Sequence, residues 1–177
     1  FMFPPNTVET YDIKCKNANK CTRSDCKYCK LITQRKNFKS YKTGRRYPKK
    51  FKSDCETKNV IYMISCTQCR KQYVGQTKRA FRERMYEHKR YILTNSDEPT
   101  GKHFNLPNHD INKAKFEIID VISGDPETTE NIRDDREDYW ILQLNTLIPA
   151  GINHRLSKKR HSIFTLFCKT PDRKSVV

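Results

Sequence analysis

The sequence predicts an α+β domain: a small three-stranded antiparallel sheet flanked by helices, preceded by a basic, cysteine-rich module. Three observations carry that prediction. Residues 59–66 (NVIYMISC) are an apolar run of strand length, rich in β-branched side chains, as expected of a central strand covered on both faces. Residues 115–123 (KFEIIDVIS) alternate and read as a further strand, while residues 77–91 and 127–145 repeat apolar side chains at helical spacing.

The elements follow in order. CTQCRK makes a turn into the short strand KQYVG, so residues 59–75 form a hairpin whose connection is pinned by two thiols. Thr77 is the expected N-cap of the next helix, which runs to about Tyr91 with Phe81, Met85 and Ile92 along one face. At 100° per residue Arg84 lies about 60° from Phe81 and His88 about 20°, so both polar groups project along the inward stripe. The stretch TNSDEPTGKHFNLPNHD reads as a loop, with Pro99, Gly101 and Pro107 as breakers, and supplies His103 and His109. In the last helix Glu137, Trp140, Ile141 and Leu144 fall at i, i+3, i+4 and i+7, which puts a glutamate on the apolar stripe.

The 177 residues hold one domain with a small appendage. Lys+Arg 36 against Asp+Glu 20 gives +16, which points to a polyanionic partner, nucleic acid before an anionic membrane surface. No run of 18 apolar residues occurs and the opening FMFPPNTVETYD has no signal-peptide pattern, so a soluble, intracellular chain is expected. A first residue of Phe is expected of a piece of a longer protein. Hydrophobic content of 35% is low for one compact core, and the eight cysteines are the obvious support. In a reducing compartment Cys26-x-x-Cys29 and Cys66-x-x-Cys69 are zinc-chelating spacings; a disulfide framework is the alternative. Residues 14–52 carry fifteen Lys/Arg and the single acid Asp25, together with Cys15, Cys21, Cys26 and Cys29. They read as a basic, metal-supported nucleic-acid arm or, more blandly, as a solvated tail. The aromatics Tyr28, Phe38, Tyr41 and Tyr47 in it would stack on bases or pack a small module.

Ile61-Tyr62, Tyr73-Val74-Gly75, Arg84 and His88 on one helix, Glu137 in REDYWI and Asn153 in PAGIN together resemble the GIY-YIG nuclease family. Val60 stands where the family name has glycine and Val74 where it has isoleucine; neither changes a group that would do chemistry. CTQC with His103 and His109 is similar to the Cys-Cys-His-His insertion of endonuclease domains from Penelope-like retroelements. The resemblance implies the GIY-YIG nuclease fold over residues 58–155, with residues 1–57 as the basic module and 156–177 as a basic tail.

It also implies metal-dependent DNA nicking that exposes a 3′ hydroxyl for target-primed reverse transcription. The partners would be DNA, an RNA template and a reverse transcriptase domain of the full-length chain, in the nucleus, with no membrane. Glu137 would ligate Mg²⁺ or Mn²⁺ and Arg84 would hold the scissile phosphate. Tyr62 would be a general base with lowered pKa, and His88 would receive or relay the proton. Tyr73 would orient water or phosphate, while Asn153 holds the site together. Cys66, Cys69, His103 and His109 offer two soft and two borderline ligands, suited to a tetrahedral zinc stapling the hairpin turn to the loop after the helix.

Cys21, Cys26, Cys29 and Cys55 would make a second zinc site, with Cys15 competing as fourth ligand and Cys168 unpaired. Lys78, Arg79, Arg82, Lys89, Arg45 and Arg46 are expected on nucleic acid. Plain readings stand beside these: the two tyrosines as strand aromatics, His88 as a surface histidine, the cluster as free thiols and surface histidines, and Glu137 neutralised by Arg84 or Arg133. The rival function is a catalytically inactive, zinc-supported nucleic-acid-binding module that tethers the polymerase.

Overall fold

The computed structural model describes residues 29–33 and 35–156. Its centre is an antiparallel sheet in the order β4-β3-β5, built from β3 (Val60–Cys66), β4 (Gln72–Thr77) and β5 (Ala114–Val121). Every residue of β3 is buried, and its side chains divide between two cores. Val60, Tyr62, Ile64 and Cys66 pack with Phe81, Met85 and Ile92 of α1 (Phe81–Leu93) and with Phe104 of α2 (Pro99–Phe104). Ile61 and Met63 pack on the opposite face with Trp140, Ile141 and Leu144 of α3 (Glu130–Leu144). The apolar run is thus the expected central strand, sandwiched between helices.

Two sequence expectations are corrected. Thr77 does not cap α1; it closes β4, paired with Val60. Its hydroxyl accepts from the Arg79 backbone N–H and turns the chain, and α1 starts at Phe81. The first helical N–H groups of Phe81 and Arg82 donate to the carbonyls of Thr57 and Cys55, so backbone does the work a capping side chain would do. The stretch after α1 is not all loop, because Pro99 opens α2 instead of breaking it. Proline at the first helical position gives up an N–H that would be unpaired there anyway.

Ahead of the sheet, β1 (Asn37–Lys39) and β2 (Arg46–Pro48) form a hairpin that no periodicity announced. Phe38 stacks on Tyr47 with ring centroids 5.4 Å apart, and both meet the Trp140 ring edge-on, at 5.1 and 5.2 Å. The Ser40 hydroxyl donates to the Leu144 carbonyl at 2.7 Å, and Gln72 of β4 bonds the hairpin at Lys39 and Tyr41. Lys49, just beyond, lies 2.8 Å from the Glu117 carboxylate of β5. Phe38 and Tyr47 therefore pack, and Tyr41 stays exposed; Tyr28 lies outside the described residues. Removing the Phe38 ring should cost about 3 kcal/mol, the usual scale for deleting a buried aromatic. Chemical denaturation of Phe38→Ala checks this, and an unchanged midpoint would mean that the hairpin is not part of the folded core.

Candidate active site

Tyr62 lies in the middle of β3 with no exposed surface, directly across the ladder from Gly75. A Cβ at position 75 would sit 2.3 Å from the Tyr62 hydroxyl oxygen and 2.9 Å from the Tyr73 ring, so only glycine lets the phenol cross there. On the other side of β3 the pairing with β5 slips between Ile61 and Tyr62, a β-bulge of the kind that re-aims a side chain beside a site. Asn153 holds β4 in place from outside the sheet. Its amide donates to the Val74 carbonyl and its Oδ1 accepts from the Val74 N–H, each at 2.8 Å, with the Thr146 hydroxyl as a further donor.

The inward stripe of α1 delivers Arg84 and His88 to the same hydroxyl. Arg84 Nε–H donates to Tyr62 Oη at 2.8 Å, and His88 Nε2 lies 2.7 Å from that oxygen. Tyr73 completes the group, its ring centroid 5.5 Å from His88 and 6.4 Å from Tyr62. Burial raises the Tyr62 pKa well above the ordinary phenol range, against the pull of Arg84, and pushes Tyr73 up to about 12. Burial, reinforced by the Arg84 charge, holds His88 well below the usual imidazole range. The lowered phenol pKa that the resemblance asked for is therefore not set up in the resting site. Tyr62 rests as a phenol beside a neutral imidazole.

Glu137 stands on α3, which packs against β4. Its carboxylate makes no hydrogen bond or ion pair among the described residues. Arg84 gives Nη1 to Glu87 at 2.7 Å, and Arg133 bonds Gln76, Asn59 and the Pro126 carbonyl, so neither arginine takes up the Glu137 charge directly. Burial and then the neighbouring Asp138 and Asp134 push Glu137 up to about 8, with Arg84 pulling the other way. A half-buried carboxylate without a bonded cation is a hard oxygen donor of the kind that holds a divalent ion such as Mg²⁺ or Mn²⁺, although among the described residues no group of three or more carboxylate, His or Cys ligands gathers around Glu137.

A second donor set closes the hairpin. Cys66 at the end of β3, Cys69 in the turn, His103 on α2 and His109 beyond it bring one ligand atom each within 4.8 Å of one another. His109 Nδ1 donates to the Pro107 carbonyl at 2.9 Å, and its Nε2 is buried. The Cys69 side chain and then the Pro107 carbonyl raise the His109 pKa, whereas burial and then His109 and Lys71 push His103 down to about 4. Two thiol and two imidazole groups suit a metal such as zinc, whose binding would release the protons these ligands hold.

Residues 58–154 match the family model of the GIY-YIG catalytic domain. The chain belongs to the GIY-YIG family. No curated protein and no solved structure matches it. GIY-YIG domains are nucleases, and the match spans every residue brought to the Tyr62 hydroxyl, Glu137, Asn153 and the Cys/His cluster.

The basic residues expected on nucleic acid divide. Lys78, Arg79, Arg84 and Arg133, with Glu127 and Glu130, line a polar cleft of about 290 Å³ beside the GIY-YIG site. Lys78 pairs with Glu127 and Arg79 with Glu87, both at the surface, while Arg82 turns to Glu56. Lys89 is exposed on α1, as are Arg45 and Arg46 on the hairpin. Cys29 and Cys55 are buried in the Tyr62 core; Cys15, Cys21, Cys26 and Cys168 lie outside the described residues. Sequence reading missed Glu87, whose i, i+3 spacing to Arg84 was visible, and Gln76, which no pattern signalled; Arg133, weighed as a partner of Glu137, bonds Gln76 instead.

Without added Mg²⁺ or Mn²⁺, Glu137 keeps its proton in the folded chain up to about pH 8, whereas the unfolded chain releases it near 4.5. A raised carboxylate pKa favours the unfolded state progressively as pH rises through that window. The melting temperature should fall across it, and Glu137→Gln should flatten the fall; parallel pH curves for the two proteins would contradict the shift.

Cys69→Ser should lose the metal of the Cys/His cluster, read by elemental analysis, and lower the melting temperature. A full complement of bound metal in that variant would remove Cys69 from the ligand set.

Proposed function

We propose that this domain is a metal-dependent DNA endonuclease that nicks one strand and leaves a 3′ hydroxyl, serving a Penelope-like retroelement. The observation that carries the reading is a buried tyrosine hydroxyl held between Arg84 and His88, with Glu137 left without a bonded cation at the same site. A module that only binds nucleic acid has no use for that arrangement. Arg84 lines the polar cleft, where its planar guanidinium would hold the scissile phosphate. Tyr62 takes a proton from the attacking water and passes its own to His88 Nε2. Tyr73 orients the water, and Asn153 keeps Gly75 opposite Tyr62 by fixing Val74. A cation on Glu137 would neutralise charge that builds on the phosphate and the leaving oxygen.

Around this centre, Cys66, Cys69, His103 and His109 hold structural zinc, and Cys21, Cys26, Cys29 and Cys55 form a second zinc site. Residues 1–57 act as the basic module, 58–155 as the endonuclease and 156–177 as a basic tail. A nick with a free 3′ end is what a reverse transcriptase on the same chain, carrying an RNA template, uses as primer in the nucleus. One catalytic centre cuts one strand per encounter.

The test is nicking of supercoiled plasmid with and without Mg²⁺ or Mn²⁺, by wild type and Glu137→Gln. Wild type should nick only with the cation. The variant should stay folded, bind DNA at least as well, and nick about a hundredfold or more slowly. Efficient nicking by folded Glu137→Gln would remove Glu137 from the metal, and absence of cation-dependent nicking in wild type would favour the tethering role.

A further inference from the structure

His88 has a second ring nitrogen, and what it touches comes from outside the catalytic helix. Nδ1 lies 2.9 Å from the hydroxyl of Thr100, which is 1% exposed on α2. Proton placement along this chain of groups follows from donor counting. Arginine has donors only, so Arg84 Nε–H occupies the Tyr62 oxygen as acceptor. The Tyr62 hydroxyl must then give its own hydrogen to an acceptor, and among the described residues His88 Nε2 is the one within reach. Nε2 therefore carries no proton, and a neutral ring carries it on Nδ1, donating to Thr100 Oγ1.

We infer that Thr100 is a positioning residue of the nuclease reaction, accepting from His88 Nδ1–H and so holding the ring with Nε2 facing Tyr62 as a proton acceptor. This rests on the nuclease reading above. In the step it serves, a water O–H bond breaks and its proton joins Tyr62 Oη as the Tyr62 proton moves to His88 Nε2. The water oxygen bonds to phosphorus and the P–O3′ bond breaks, its electron pair staying on the 3′ oxygen. His88 leaves the step as an imidazolium whose Nδ1–H keeps Thr100 Oγ1 as acceptor. That is the duty a carboxylate performs behind a catalytic histidine, met here by a neutral hydroxyl. Thr100 lies three residues before His103, so the helix that seats the Cys/His cluster also seats the partner of His88.

The experiment compares wild type, Thr100→Ser and Thr100→Val, each first shown to retain its melting temperature and bound zinc. Single-turnover nicking at saturating Mg²⁺ and DNA should slow about tenfold or more in Thr100→Val, with DNA affinity unchanged, and recover in Thr100→Ser. Long-range ¹H–¹⁵N spectra of the histidine rings, taken on free protein, should show the His88 Nδ1–H proton at the downfield shift of a hydrogen-bonded N–H in wild type and Thr100→Ser, and upfield of it in Thr100→Val. Wild-type nicking by Thr100→Val, or an unchanged His88 Nδ1–H shift in it, overturns the inference. If wild type does not nick at all, the nuclease reading fails, and the ring spectra still decide whether Thr100 holds the His88 ring. If Thr100→Val loses zinc or unfolds, Thr100→Ser decides: loss of the hydrogen-bonded Nδ1–H shift in folded Thr100→Ser also overturns the inference.

Discussion

Burying a phenol in the middle of a sheet obliges the protein to satisfy both its donor and its acceptor from side chains, and the neighbourhood of Tyr62 is arranged around that obligation. An arginine supplies a donor that cannot reverse, and a histidine supplies the acceptor. Each brings its own requirement. The Arg84 charge is balanced by Glu87 one turn on, and Glu87 also holds Arg79. His88 needs an acceptor for its remaining N–H and finds it on α2. The strand opposite must be bare at position 75, and Asn153 keeps the bare position in register. Residues from four elements are thus committed by one hydroxyl.

The electrostatics of the resting site run in a single direction. Tyr62 and Tyr73 are held as phenols, His88 as a neutral ring and Glu137 toward its acid form, each chiefly because burial disfavours charge. Arg84 carries full charge at the centre, paired with Glu87. A site in this condition holds its protons firmly, and on the proposed reading its charge state would be set by what enters it: a cation would displace the proton of Glu137, and a phosphate would meet Arg84.

What the sequence disclosed and what it hid divide along a physical line. The sheet was legible because β3 is buried on both faces and the hairpin after it is short, so apolar pattern and turn chemistry agree. Arg84 and His88 were legible because helical angle alone puts them on the stripe of Phe81. The β1–β2 hairpin was not, since each strand contributes one aromatic, Phe38 or Tyr47, amid lysine and arginine, and the partner that buries them, Trp140, is about a hundred residues away. α2 was hidden by Pro99 and Gly101, which read as breakers although one opens the helix and the other fits closely against the Ser96 carbonyl. Asn59, with positive φ and a side chain joining Ile122, Thr129 and Arg133, and Thr100 behind His88 belong to no local pattern. Polar supports of this kind are fixed by the fold, not by spacing.

The seating of the hairpin on α3 changes what counts as the smallest workable piece of this protein. The family match begins at residue 58, yet the faces of Trp140, Ile141 and Leu144 are covered in part by Phe38 and Tyr47. A recombinant fragment cut at the family boundary would display that aromatic patch to solvent, and patches of this sort promote self-association. It would also leave Glu117 on β5 without the ammonium of Lys49. A fusion or expression fragment should accordingly start upstream of the hairpin, so that the basic strands stay packed on α3.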